Sequence, residues 1–340
     1  MAVFLVRAGA HGEQEELALA QGISVLGWSD LSDLSGVASR EELQRLCANA
    51  YPDATPNQIS NWVAQLWVFR EKMQEGDTVV LPLKSRAAIA VGRVTAPYRY
   101  RPDLPEDARH TRPTEWLRTD IPRNAFGQDL LYSLGACQTV CQVRRNNAEE
   151  RIKAVLAGKP DPGQGTGPGP SPEPGPDFDV EQYARDEIVA YIGRRFRGHD
   201  LARLVTELLR AQGYRAEPSP PGADGGVDIV AGAGPMGFDP PRLCVQVKSS
   251  DAPVDVGVLR ELQGVMKNFG AEQGLLVAWG GFRSSVTSEA RHQFFQVRLW
   301  DAGDLVDALL KNYEKLHPEI QADLPLQRIW SVVPEEQEEL

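Results

Sequence analysis

Gly226–Gly232 reads GVDIVAG and Arg242–Ser250 reads RLCVQVKSS, two short β-rich runs joined by the turn-forming stretch AGPMGFDPP. Apolar runs separated by Gly and Pro predict a hairpin-like pair of strands. With a side-chain period of two, Gln246 and Lys248 fall on one face of the second strand, and Asp228 stands at the start of the first between Val227 and Ile229. Upstream, DLARLVTELLRAQ (Asp200–Gln212) spaces Leu201, Leu204, Val205, Leu208 and Leu209 as one helical stripe ended by Gly213. Downstream the pattern predicts a helix over Val254–Phe269, an apolar strand QGLLVAWG, a helix over Ser284–Phe294 and a last strand QVRLWD. Strands alternating with helices make an α/β sheet domain.

A carboxylate, an amide oxygen and an amine on one sheet face suit metal-assisted hydrolysis of a phosphodiester. They equally suit a cross-strand ion pair between Asp228 and Lys248 with Gln246 capping it, and spacing alone leaves both readings open. The order of helix, GADGGVDI, VQVK, helix and GLLVAWGGF followed by SSVTSEA resembles the Mrr-like catalytic domain of the PD-(D/E)xK nucleases, in the variant where Gln replaces the acidic member of the pair. The resemblance spans about Asp200–Leu310. It implies a mixed central sheet, with Asp228 as metal-binding aspartate, Gln246 as metal or water ligand, Lys248 as catalytic lysine and the Val247 carbonyl as backbone ligand. Asp224 takes the family's earlier acidic position, and Gly225 and Gly226 let the backbone turn towards phosphate. Mg²⁺, or Mn²⁺, is the implied metal. The family's opening-helix glutamate is replaced by Ala202. Glu207 is the nearby auxiliary candidate, although it and Asp200 lie on the far flank of the apolar stripe.

The chain has 340 residues, more than one core ordinarily organises. Gly158–Pro176, GKPDPGQGTGPGPSPEPGP, is too rich in Gly and Pro to build a core. It is expected to tether a domain over 1–157 to one over 177–330, with an acidic tail over 331–340, and to reach roughly 60 Å if extended. The net charge of −11 argues against nucleic acid, yet the first 157 residues hold 18 of the 36 basic and 19 of the 47 acidic residues, so the acidity sits in the second half. Within the first half, Lys84–Arg123 holds nine basic and five acidic residues, a local excess of four. Four cysteines make no disulfide framework, and Cys137 with Cys141 make no zinc site by spacing. The absence of an eighteen-residue apolar run excludes a membrane-spanning helix, and the early polar turn of the N-terminus implies a cytoplasmic address. GAGPMG lacks the Lys-Ser/Thr ending of a P-loop, so no NTPase is indicated.

The first half shows GDTVV, then IAVGRVTAPYRY, then an aromatic and basic strand, and resembles the EVE/PUA superfamily of small β-barrels. That resemblance implies a nucleic-acid reader, in several branches one that takes up a flipped, modified base. Such a base needs aromatic faces and a polar edge contact. Trp28 in GWSD, with Asp30 to accept from an exocyclic amine, is the leading candidate, with Tyr98 and Trp116 as further rings and Arg86, Arg99, Arg101 and Arg118 as phosphate contacts. Each has an ordinary reading as core aromatic, surface turn or solvated face. Joined, the halves are expected to form a modification-dependent (type IV) restriction endonuclease acting on modified duplex DNA. One site per chain implies a homodimer or DNA-induced dimer to cut both strands. Two alternatives stand beside it: a nuclease triggered by phosphorothioate, damaged or unmodified DNA or by RNA, and a catalytically decayed DNA-binding protein.

Overall fold

The computed structural model describes residues 2–9, 11–135, 138–163, 180–220 and 226–329; Asp224, Gly225, Cys137 and most of the Gly/Pro-rich stretch lie outside the described residues. The described chain forms two units that part between Val180 and Glu181.

The N-terminal unit is built on strands β1 (Val3–Val6), β2 (Ile23–Leu26), β3 (Thr78–Pro82), β4 (Ala88–Val94), β5 (Arg99–Tyr100), β6 (His110–Pro122) and β7 (Val140–Gln142). Their order is β2-β6-β4-β3-β1-β7, with β5 also on β6. β1 runs parallel to β3, and the other pairings are antiparallel. VFLV and TVVLP are apolar at successive positions because the sheet is covered on both faces. Phe4, Val6 and Val79 pack beneath α2 (Arg40–Ala50) and α3 (Pro56–Trp67). Val3, Leu5 and Val80 meet α4 (Gln128–Leu134) and α5 (Ala148–Leu156) on the other side. A shorter helix, α1 (Glu15–Gln21), precedes β2. α3 starts where TPNQ dictates, with Thr55 and Gln58 forming a capping box around Pro56. The expected β-barrel is corrected here: among the described residues no pairing joins β7 to β2 or β5, so the sheet curls without closing. The physical reason is that helices on both faces bury what a small barrel would turn inward.

The first residues of the expected linker also belong to this unit. Asp161, whose side chain is fully buried, receives Nε and Nη2 of Arg151 at 2.7 and 2.6 Å and the backbone N–H groups of Gly127 and Gly163. Arg151 reaches Asp129 of α4 as well. Burial alone would raise the Asp161 carboxyl, but the guanidinium and the amides outweigh it and hold the group below the usual carboxylate range.

The C-terminal unit comprises α6 (Val180–Arg195), α7 (His199–Ala211), β8 (Arg215–Pro218), β9 (Ile229–Ala233), β10 (Asp239–Lys248), α8 (Val256–Phe269), β11 (Gln273–Ala278), α9 (Ser284–Arg291), β12 (Val297–Trp300), α10 (Ala302–Asn312) and α11 (Pro318–Asp323). The sheet order is β12-β11-β10-β9-β8. β10, β11 and β12 are parallel through the crossovers α8 and α9, while β8 and β9 add as antiparallel strands. Val245, Ile229 and Ala231 face a core made with α6, α7 and α10. Cys244, Leu276 and Ala278 face α8 and α9.

Candidate active site

β9 and β10 bring Asp228 and Gln246 together at the end of the sheet where β10 finishes. Cys244 lies opposite Val230 and Val245 opposite Ile229, and Gln246 and Asp228 are the next residue on each side. Gln246 lies on the face that carries α8 and α9, since Cys244 belongs to that core and Val245 to the other. The Asp228 N–H donates to the Val245 carbonyl at 3.0 Å, and one Asp228 carboxylate oxygen accepts the Val247 N–H at 2.6 Å. The carboxylate is therefore seated against the Gln246–Val247 peptide.

Gln246 is 4% exposed, and its Oε1 is buried with no hydrogen-bond partner. Buried amide oxygens are nearly always bonded, which makes this one conspicuous. Lys248 is half-buried at the strand's end. Among the described residues no carboxylate pairs with it, and Gln246 caps no ion pair there. No group of three or more His, Cys, Asp or Glu side chains able to hold a metal occurs among the described residues. The oxygen donors the structure brings near each other are the Asp228 carboxylate and the Gln246 amide, with the Val247 N–H bonded to the former.

Two loops close around Lys248 that the sequence did not single out. The Lys248 carbonyl accepts the Trp279 N–H at 2.8 Å, and Val254 and Phe282 form a parallel bridge. The loops touch so closely that a Cβ at Gly280 would stand 2.5 Å from the Asp251 carbonyl, so only glycine fits there. Ser249 Oγ accepts the Gly198 N–H at 3.1 Å, tying the start of α7 to the end of β10. The doubled serine after VQVK was the available signal.

Glu207 is not brought to this site. It lies on α7, against the opposite face of the sheet, bonds Arg210 Nη1 at 2.7 Å, and lines a cleft with Lys315 and His317. Ala202 is 8% exposed in the α7 core face.

In the N-terminal unit Trp28 is 4% exposed and packs with Leu31, Leu34 and Phe69, which corrects its expected place as the open wall of a base pocket. The surface-turn reading fails for the same reason. The GWSD segment is held by His110, whose Nε2 donates to the carbonyls of Trp28 and Leu31 at 3.1 and 3.2 Å, while Nδ1 meets the Tyr98 hydroxyl at 2.7 Å. Two carbonyl acceptors at Nε2 place the neutral ring's proton there, and burial holds the imidazole below its ordinary value. Burial also pushes the Tyr98 phenol up. Asp30 is exposed, and its N–H donates to the Tyr51 hydroxyl. Trp116 donates its Nε1–H to the Ala18 carbonyl and covers Gly92. Arg99 and Arg86 are exposed, Arg86 bonding the Thr119 carbonyl. Arg101 is bidentate to Asp103, and Arg118 bonds Asp120. Unanticipated by sequence, Arg112 is 2% exposed and caps the turn Val68–Lys72 by donating to the carbonyls of Phe69 and Arg70.

No helix among the described residues is long and apolar enough to cross a membrane. Three solved structures resemble the chain. One is the DNA modification-dependent restriction endonuclease AspBHI, at 16% identity and TM-score 0.33, covering 80% of this chain and 74% of that one. The MspJI restriction endonuclease in complex with a 27-mer oligonucleotide gives 13% and 0.31, covering 84% and 75%. AF1548, a protein of unknown function, gives 16% and 0.27, covering 42% and 72%. No curated protein sequence matches the chain. Residues 4–134 match a family described as a domain of unknown function (DUF8426). Residues 194–309, which contain the Asp228, Gln246 and Lys248 cluster, match the family described as restriction endonuclease (Mrr_cat).

Proposed function

We propose that the chain is a Mg²⁺-dependent DNA endonuclease of restriction type, which cuts duplex selected by its N-terminal unit for a modified base. The observation that carries the nuclease reading is the buried, unpartnered Gln246 Oε1 next along the strand from the Val247 N–H that seats the Asp228 carboxylate, within the segment that matches the restriction endonuclease family. Leaving such an oxygen unbonded costs stability, and a hard cation is the ligand that an amide oxygen, a carboxylate and a backbone carbonyl together suit. Asp228, Gln246 and the Val247 carbonyl would hold it. The ion, when bound, polarises the phosphodiester and acidifies a water. Lys248, without a carboxylate to neutralise it, orients the attacking water and offsets charge developing on the phosphate. Asp228, seated on the Val247 N–H, keeps the donor set in place. Exposed Arg99 and Arg86, which have no carboxylate partner among the described residues, support a DNA-facing role for the N-terminal unit, whereas Arg118 and Arg101 are paired with Asp120 and Asp103.

The test is digestion, with Mg²⁺, of matched duplexes that are plain or carry 5-methylcytosine, 5-hydroxymethylcytosine or N6-methyladenine. Cutting confined to a modified duplex, abolished in Lys248→Ala while binding persists, is the expected result. Equal cutting of all four removes the modified-base selection; no cutting of any, with Mn²⁺ also tried, overturns the nuclease assignment.

A further inference from the structure

We propose that the C-terminal unit grips the DNA backbone itself, through Arg197 and Arg283 on either side of Lys248, by contacts blind to sequence and modification. This rests on the nuclease reading above and adds the surface that presents the strand to it. Three loops meet at one end of the sheet. The loop before α7 carries Arg197 and is fixed to Ser249 through the Gly198 N–H. The loop after β10 begins at Lys248. The loop after β11 carries Arg283, whose N–H donates to the Val254 carbonyl at 3.1 Å, while the Val254 N–H donates to Gly281. Backbone hydrogen bonds thus set the three cations in neighbouring loops.

Their charge is available where that of six other arginines in the unit is not. Arg185, Arg195, Arg203, Arg210, Arg242 and Arg260 each pair with a carboxylate. Arg197 and Arg283 are exposed, and neither has a carboxylate partner among the described residues. Arg197 is nevertheless held, its Nε–H donating to the Gly193 carbonyl at 2.8 Å, so the guanidinium is oriented and keeps its charge. Of the acids in these loops, Asp200 faces Arg203 and Asp255 caps α8 by accepting the Gly257 N–H, which leaves Asp251. The N–H groups of His199 at the start of α7 and of Ser284 and Ser285 at the start of α9 add backbone donors, since neither Gly198 nor Arg283 caps its helix with a side chain and the next N–H groups already bond the Arg197, Gly198 and Arg283 carbonyls. Cations without counter-charge, one of them oriented, beside a lysine already assigned to a phosphate, suit an extended phosphodiester backbone. In a chain of net charge −11 they give the acidic half a local means of holding a polyanion.

The experiment titrates full-length protein without divalent metal against a plain 30-base-pair duplex and its 5-methylcytosine counterpart over a salt series. Two lost phosphate contacts reduce the slope of log affinity against log salt by about 2. Arg197→Gln with Arg283→Gln should show that reduction on both duplexes, so that the affinity lost between about 50 and 200 mM salt shrinks roughly tenfold. Arg197→Lys with Arg283→Lys should restore the slope, and Arg242→Gln with Arg260→Gln, which removes two paired cations, should leave it at the wild-type value. Wild-type slope in the first variant, with DNA still bound, overturns the grip while leaving the nuclease reading standing. Failure of the wild type to bind either duplex overturns both.

Discussion

At Gln246 a long side chain fills the interior while its carbonyl oxygen goes without a donor, a loss on the order of 1–3 kcal/mol that an apolar residue of similar size would avoid. A site selected for stability alone would hold leucine. Gln246→Leu is therefore expected to raise thermal stability by about 1 kcal/mol and to abolish cleavage, whereas a core role predicts lower stability with cleavage intact. Melting curves and nicking rates on the same preparation decide between the two. Asp228 does not share this trade, because its carboxylate already accepts the Val247 N–H, and its loss would free a backbone donor as well as a ligand.

β6 shows how one element ties distant segments together. Its first residue, His110, bonds the Trp28–Leu31 turn and the Tyr98 hydroxyl, and Arg112 two residues on caps the turn at Val68–Lys72. None of this is visible in local sequence, where Trp28 reads as a polar-flanked surface aromatic and Arg112 as one more member of a basic run. The imidazole carries a prediction of its own. Burial lowers its folded value below the unfolded value of about 6.5, so between those two values the unfolded chain binds more protons. Stability is then complete above about pH 6.5 and is lost as pH falls towards the folded value. His110→Gln offers an amide donor to the carbonyls and an acceptor to Tyr98 without titrating. Full-length wild type should lose more melting temperature than His110→Gln between about pH 7 and pH 5, and equal losses would remove His110 from the account.

Across the whole molecule, legibility followed the range of the interactions. The β9–β10 pair, the α7 stripe and the crossover helices α8 and α9 were readable because period and turn chemistry are local, and each helix ended within a few residues of where glycine or polar residues placed it. The open N-terminal sheet was not readable, because whether a curled sheet closes depends on pairings between residues far apart in the chain, and the same apolar runs serve a barrel or a sheet covered on both faces. The Gly/Pro-rich stretch was legible in composition, yet its start was not, since Asp161 is held by Arg151 from the preceding helix. The N-terminal unit therefore extends at least to Gly163, and any tether acts from there. If that tether sets how far from a recognised base the Lys248 site reaches, deleting Gln164–Gly175 should leave the melting of both units unchanged and bring the cut sites closer to the modified base, within a narrower range. End-mapping of products from wild type and deletion on one modified duplex checks this. Identical cut positions would show that contact between the units, and not tether length, fixes the distance.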